Sequence, residues 1–476
     1  MQLLLAFILI ASFRVLSSTP AGDSDRVSSL PGWNKLDSNW FSGHVYVGKK
    51  EGKALFHHYI LIESERSPKK DPVIVWSNGG PGAPSLFGLM VELGPILLTK
   101  DGMIRNEFAW TREANLIILN GPPPVGFSYC SPPGPSGDFK SCGEWNDSTT
   151  AYYNRFAIQG ILEKHPRLKK NDWFFIGESY AGVYIPTLVR EVLSFGPKDI
   201  KVKGMALGNA CMGTDVLCFS DSDYWWRALF LRGHAQVSEK TFAKFEQECR
   251  ATLSKSIVTD NCKAKLKDLE KEAGYFYEYD VFSECWYDSD FSPPNRYPLQ
   301  QSLASTIGGD DFCGGDKFLS DFANDPKVRK ALHVAVDSVF CSGDNGAGFV
   351  YNYGEKDLRP FYLKLAARKD TRILVYSGDT DVAVNVFASQ NWTSNLGLKE
   401  VSSWRPWTLD GNRAVVGYVT QYEGDFSFVT IRGSGHMVPQ FKKKAAFEML
   451  QRFLRGEPLK PYDPKHKSHE VEIALS

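Results

Sequence analysis

An α/β fold with a mostly parallel sheet, helices on both faces and one inserted helical segment is predicted by three observations. Apolar runs without alternation, such as Pro72 to Trp76 and Trp173 to Ile176, read as strands buried on both faces. Four such strands stop at glycine-marked loops, the arrangement expected where an open parallel sheet binds ligands beyond its carboxyl ends. Between Cys211 and about Asp321 the strand-length runs vanish, and charged helical stretches alternate with aromatic and cysteine-bearing ones. The chain thus divides into a first core part (30–210), a cap insertion pinned by disulfides (211–321) and a second core part (322–460).

Bulk properties agree with this division. A chain of 476 residues exceeds a typical domain, but one α/β core with an insertion absorbs it. Hydrophobic residues make up 43% and charged ones 23%, as in ordinary globular proteins. With a formal net charge of +0, no basic field argues for nucleic acid or an anionic membrane.

The N-terminal stretch Leu3 to Phe13 is apolar but too short to span a bilayer. Small residues follow at Ser17, Ser18 and Ala21, which outlines a cleavable secretory leader over 1–18, although a basic n-region is missing and Arg14 interrupts it. No later stretch reaches spanning length, so no membrane anchor is expected. Sequons at Asn146-Asp147-Ser148 and Asn391-Trp392-Thr393 agree with secretory entry. The nine cysteines show no C-x-x-C spacing, which argues against zinc and for disulfides with one cysteine left over. No metal or organic cofactor is implied.

Along the chain, His44–Val47 and Ala54–Ile62 alternate enough to form a hairpin across Gly48 to Gly52, with His57 and His58 on opposite faces in structural roles. The strand over 72–76 runs into Asn78-Gly79-Gly80-Pro81-Gly82, a loop able to bring backbone N–H groups close to a bound oxyanion. Further strands are expected at Leu116–Leu119 and Lys203–Leu207. Trp173–Ile176 breaks at Gly177-Glu178-Ser179-Tyr180-Ala181-Gly182 and resumes as a helix over 183–193. A serine on such a tight strand-to-helix turn is a candidate nucleophile. Asn324 is expected to cap a helix opening at Pro326, with His333 on it as a packed or surface residue. Arg372–Tyr376 leads into Ser377-Gly378-Asp379-Thr380-Asp381, Phe426–Ile431 leads into Gly433-Ser434-Gly435-His436, and a helix over 445–454 closes the fold.

Serine needs a base within reach, and that base needs an orienting acid. Ser179, Asp379 and His436 supply these in the chain order of α/β-hydrolases. Asp381 competes for the acid's role; Asp379, nearer the strand end, is preferred.

The blocks Asn78 to Gly82, Glu92-Leu93-Gly94-Pro95, Gly177 to Gly182, Gly378-Asp379 and Gly435-His436-Met437-Val438-Pro439 together resemble the signature blocks of the serine carboxypeptidase family, over about 30–460. The resemblance implies an α/β-hydrolase core with a cap. It also implies release of single residues from the C-termini of peptides or proteins, usually at acidic pH, in lysosome, vacuole or outside the cell. By the same resemblance, the N–H groups of Gly80 and Tyr180 form the oxyanion hole. Asn78, the Gly79 N–H, Glu92 and Glu178 then hold the substrate carboxylate, for which at least one glutamate must be protonated. A homodimer is left open.

Where relatives read Pro-Gly-Cys-Ser-Ser, this chain has Pro81-Gly82-Ala83-Pro84-Ser85, and Cys341 looks like the abandoned partner of the missing cysteine. The usual Gly-Asn-Gly reads Gly208-Asn209-Ala210. Two other readings compete: an acyltransferase on the same scaffold, and a binding or protective partner. In plant acyltransferases of this kind the Asn-Gly-Gly block is commonly altered and aspartate precedes the serine; Asn78 and Glu178 are intact here, which favours hydrolysis.

Overall fold

A computed structural model describes residues 22–99, 101–254, 257–283, 315–342, 348–411 and 414–463. The expected leader at 1–18 lies outside them, as do Cys285 and Cys313.

The first half of the chain carries β1 (Arg26–Val27), β2 (Trp40–Lys50), β3 (Lys53–Ile62), β4 (Val73–Ser77), β5 (Ile96–Thr99), β6 (Gly102–Arg105), β7 (Asn115–Asn120), β8 (Tyr129–Ser131), β9 (Trp145–Asn146), β10 (Asp172–Ser179) and β11 (Lys201–Ala210). The second half carries β12 (Tyr351–Asn352), β13 (Arg372–Gly378), β14 (Glu400–Trp407), β15 (Gly417–Tyr422) and β16 (Phe426–Ile431). Twelve of these strands form one sheet in the order β1-β2-β3-β7-β4-β10-β11-β13-β16-β15-β14, with β8 beside β3. The run from β7 through β4, β10, β11 and β13 to β16 is parallel, and antiparallel strands extend it on both sides.

The non-alternating apolar runs have a direct cause. In β4, Val73 and Val75 enter one core while Ile74 and Trp76 enter the other, and in β10 Trp173 and Phe175 oppose Phe174 and Ile176. Both faces of these runs are dry, so Val73–Trp76 and Trp173–Ile176 are apolar at every position. Helices α1 (Asp147–Lys164) and α2 (Ala181–Phe195) pack in the first core, where the side chains of Ile158, Ile161, Val183 and Leu188 are buried. Asn146 starts α1 by accepting the Thr149 N–H at 2.9 Å, half of a capping box.

Between β11 and the second half come α3 (Asp223–Gly233), α4 (Glu239–Leu253) and α5 (Asp260–Ala273), which enclose a small core of their own around Leu231, Phe242, Phe245 and Leu266. The Cys249–Cys262 disulfide joins α4 to α5, and Cys130–Cys142 and Cys211–Cys218 are also bridged. Among the described residues Cys341 is free and buried, and burial pushes its thiol up to about 12.

The rest of the chain adds α6 (Gly315–Asn324), α7 (Pro326–Ala331), α8 (Arg359–Ala366), α9 (Val386–Ser394), α10 (Val438–Phe441) and α11 (Lys443–Arg455). Helix α11 covers the second face with Ala446, Met449 and Leu450. Two local expectations are corrected. Asp325, not Asn324, caps α7 by accepting the Lys327 N–H at 2.7 Å, because Asn324 still belongs to α6 and turns its side chain back to Ser320. His333 lies past the end of α7 with φ +55° and bonds the Ser42 carbonyl at 3.0 Å. His57 and His58 are both buried in β3, and His58 is held between Ser42 Oγ and Asn120 Nδ2 at 3.0 Å each.

The packing of α2 against β11 leaves no room for a side chain at Gly182, where a Cβ would sit 2.2 Å from the Cys211 carbonyl oxygen. Backbone cannot yield as a side chain can, so Gly182→Ala is expected to lower stability by about 1–3 kcal/mol, measured by denaturant unfolding.

Candidate active site

Parallel strands in register bring their carboxyl ends to one edge. Gly177 pairs with Ser77 across β10 and β4, Glu178 with Gly208 across β10 and β11, and Gly378 with Ile431 across β13 and β16. The loops that follow therefore share that edge, as the glycine punctuation predicts.

Ser179 ends β10 with φ +61°, a left-handed conformation costly for any residue with a Cβ. Its surroundings enforce the turn. A Cβ on Gly177 would meet the Ser77 carbonyl oxygen and the Ala181 side chain at 2.6 Å, and one on Gly79 would meet the Tyr180 nitrogen at 2.3 Å. The Gly79-Gly80 loop thus lies directly on the Ser179–Tyr180 peptide, with Gly80 at φ +104°. Tyr180 also immediately precedes α2, whose N-terminal end favours negative charge.

His436 is 3% exposed, and its Nδ1 donates to Asp381 Oδ2 at 2.7 Å. This corrects the expectation for Asp379. The Asp379 side chain instead accepts the Gly433 N–H at 2.6 Å, and its carbonyl bonds the His234 ring at 2.8 Å. Asp381 is fully buried and held from several directions: Asn209 Nδ2 donates at 2.8 Å, and the N–H groups of Ala383 and Val384 at 3.0 and 3.3 Å. Asn209 also clasps Gly378 through its N–H at 2.9 Å, so β11 aims the acid of the neighbouring loop. Sequence reading missed Asn209; its signal was the Gly208-Asn209 pair at a strand end. From the return of the α3–α5 segment, the Tyr279 ring stacks on His436 at 4.5 Å and its carbonyl accepts the His436 N–H at 2.7 Å.

Beside this pair lies a buried polar cluster. Asn78 Nδ2 donates to Glu92 Oε1 at 3.0 Å and to Glu178 Oε1 at 2.9 Å, while its Oδ1 accepts from Trp76 Nε1 at 2.8 Å and the Gly88 N–H at 3.0 Å. Ser85 Oγ holds the Asn78 N–H at 3.1 Å and anchors to the Leu119 carbonyl at 2.9 Å. The other oxygens, Glu92 Oε2 and Glu178 Oε2, are also buried, with no donor from the rest of the protein, and the two carboxyls hydrogen-bond each other, Glu178 as the protonated partner. Burial pushes the Glu92 carboxyl up to about 7, against hydrogen bonding from Asn78 and the charge of His436. Burial, with the charge of Glu92 added, pushes Glu178 well above the ordinary carboxylate range. Glu178 pairs with Gly208, and the next residue, Asn209, holds Asp381, so the two clusters adjoin at the ends of β10 and β11.

A nucleophile elbow on the carboxyl edge of a mostly parallel sheet, with a histidine–aspartate pair on the loops beyond, defines an α/β-hydrolase of the serine type. More narrowly, the chain belongs to the serine carboxypeptidase family, whose sequence profile matches residues 31–456. It is 31% identical to Serine carboxypeptidase 24 of Arabidopsis thaliana over 96% of this chain and 97% of that protein. Serine carboxypeptidase-like 25 of the same plant is 32% identical over 92% of each chain. In three dimensions the fold is similar to that of a prohormone-processing carboxypeptidase of Saccharomyces cerevisiae, KEX1(Δ)P, with a TM-score of 0.72, 18% identity, and 92% of this chain and 97% of that chain covered.

The choice between the two aspartates is open to a direct test. Asp381→Asn should lower kcat for ester hydrolysis by about 10⁴, because the amide no longer fixes the histidine tautomer or stabilises the imidazolium. Asp379→Asn should stay within about tenfold of the parent, since it disturbs one loop brace. The reverse ranking in steady-state rates would restore Asp379 to the triad.

Proposed function

We propose that this enzyme is a serine carboxypeptidase in activity as well as in family, releasing single amino acids from peptide C-termini through an acyl-enzyme. The observation that carries the reading is the buried cluster in which Asn78 binds both Glu92 and Glu178 and the two carboxyls share a proton, directly beside Ser179 in the chain. A buried carboxyl pair that keeps a proton can turn that proton from its neighbour to an incoming acceptor, and a substrate carboxylate is such an acceptor.

In this mechanism Asn78, the Gly79 N–H, Glu92 and Glu178 hold the terminal carboxylate, which sets the last peptide bond against Ser179. His436 takes the Ser179 proton as Oγ attacks the scissile carbonyl, and Asp381 stabilises the imidazolium. The N–H groups of Gly80 and Tyr180 receive the oxyanion. His436 then gives its proton to the leaving amine, and water, activated by the same histidine, releases the shortened peptide. Transfer of the acyl group to an alcohol would use the same intermediate; the intact Asn78 and Glu178 support hydrolysis.

The sign of the pH dependence follows from the raised carboxyl pKa values. Below them the glutamate pair is protonated and can donate to the substrate; as pH rises through about 7 Glu92 ionises and the site begins to repel a carboxylate. Release of the C-terminal residue from a blocked dipeptide should therefore fall between pH 6 and 8 mainly through a rising KM, while hydrolysis of an ester lacking the carboxylate falls less. Glu92→Gln, which cannot ionise, should flatten the alkaline limb for the dipeptide, and Ser179→Ala should abolish both activities. Parallel pH profiles for the two substrates would remove the carboxylate-binding role.

Entry into the secretory pathway is part of the same proposal, supported by the three disulfides. Asn391 lies exposed on α9, whereas Asn146 is half-buried with its side chain engaged in capping α1. Glycan is expected chiefly on Asn391, so Asn391→Gln should remove most of the mobility shift produced by endoglycosidase treatment. Retention of the full shift would move the modification to Asn146.

A further inference from the structure

Among the buried acidic residues that the reaction as described does not use, Asp147 is the least exposed. Asp147 opens α1 and is 1% exposed. Four donors converge on it. Its Oδ2 accepts the N–H groups of Gly354 and Glu355 at 2.6 and 2.7 Å, and its Oδ1 accepts the hydroxyls of Tyr180 and Tyr351 at 2.7 and 2.9 Å. Charge-assisted bonds of this kind are strong and short, and they fix the direction of whatever they hold.

What they hold is the point. Tyr180 follows Ser179, and its backbone N–H is one of the two donors assigned to the oxyanion. Its ring is boxed edge-to-face by Tyr184 at 5.2 Å and by Tyr351 at 5.6 Å, and the hydroxyl at the far end is tied to Asp147. A tyrosine ring has only two rotatable bonds, so fixing its hydroxyl and its walls fixes the peptide it grows from. That peptide must stay aimed at a position where charge appears only in the transition state, where small misalignment is expensive.

We propose that Asp147 is a positioning residue for the oxyanion hole, acting through the Tyr180 hydroxyl on the Tyr180 N–H. The inference rests on the oxyanion assignment above but not on the identity of the leaving group, since ester and peptide pass through the same tetrahedral intermediate. A purely structural Asp147 would stitch the 351–355 segment to α1 and would treat its two tyrosines alike.

The test compares Asp147→Asn, Tyr180→Phe and Tyr351→Phe in hydrolysis of a p-nitrophenyl ester and of a blocked dipeptide, together with inhibition by a peptide aldehyde. The aldehyde forms a tetrahedral adduct with Ser179 and so reports on the oxyanion hole directly. Expected are losses of about ten- to a hundredfold in kcat for Asp147→Asn and Tyr180→Phe on the ester, with KM changed by less than about threefold. The aldehyde Ki should rise in step. The double variant should be no slower than the slower single one, because both remove one link. Tyr351→Phe loses a bond to the same carboxylate yet should stay within about twofold. Equal effects from the two tyrosine variants, or a fall in kcat with Ki unmoved, would overturn the proposal. Should Asp147→Asn fail to fold, the Tyr180→Phe and Tyr351→Phe pair decides alone. Ester hydrolysis without any dipeptide hydrolysis in the parent would refute the carboxypeptidase reading and leave this inference standing on the ester data.

Discussion

The catalytic edge depends on backbone packed against backbone at the end of β10. Gly79 and Gly177 stand where a side chain would collide with the neighbouring peptide, and Ser179 is thereby forced to φ +61°. A left-handed serine is unfavourable by itself and persists only where its surroundings over-determine it. The two walls, one from the loop after β4 and one from α2, are the same elements that bring Asn78 and the Tyr180 N–H to the site. Strain at one residue and the geometry of the whole edge therefore have one origin.

Around that point the site is built in two chemically distinct halves. The half holding His436 and Asp381 is organised by hydrogen bonds, because Asn209 and two backbone N–H groups donate to the buried Asp381 side chain and aim it at the His436 ring. The half holding Glu92 and Glu178 lacks such donors beyond Asn78, so burial drives protons onto it. The two carboxyl environments thus differ in the number of hydrogen bonds they receive from the protein. The halves meet at His436, which the return of the α3–α5 segment also covers through Tyr279.

The departures from the family's sequence pattern are absorbed without loss of this arrangement. Ala83 replaces a cysteine and is buried, Cys341 remains free and buried, and the loop is held instead by Ser85 bonded to both Asn78 and the Leu119 carbonyl. The Asn209-Ala210 pair keeps the one group that matters there, the asparagine amide that reaches Asp381 and Gly378.

Sequence alone determined the class of fold, since apolar runs buried on both faces and glycines at strand ends are local consequences of a parallel sheet. It also placed Ser179 and His436 at the carboxyl ends of their strands, because an elbow and a post-strand glycine loop mark those positions by residue type. The choice between Asp379 and Asp381 was different. Both follow the same strand two residues apart, and proximity to the strand end favoured the wrong one. What decides it is Asn209, from a strand more than 160 residues away in the chain, together with the turn at Ala383 and Val384 that captures the Asp381 carboxylate. The cap of α7 shifted from Asn324 to Asp325 for a similar reason, as α6 runs on through Asn324. The partners of Asp147 were likewise invisible, because hydroxyls and amides from segments about 30 and 200 residues distant converge only when the fold is complete. Local pattern fixes which groups stand at the edge; long-range hydrogen bonding decides which of them face each other.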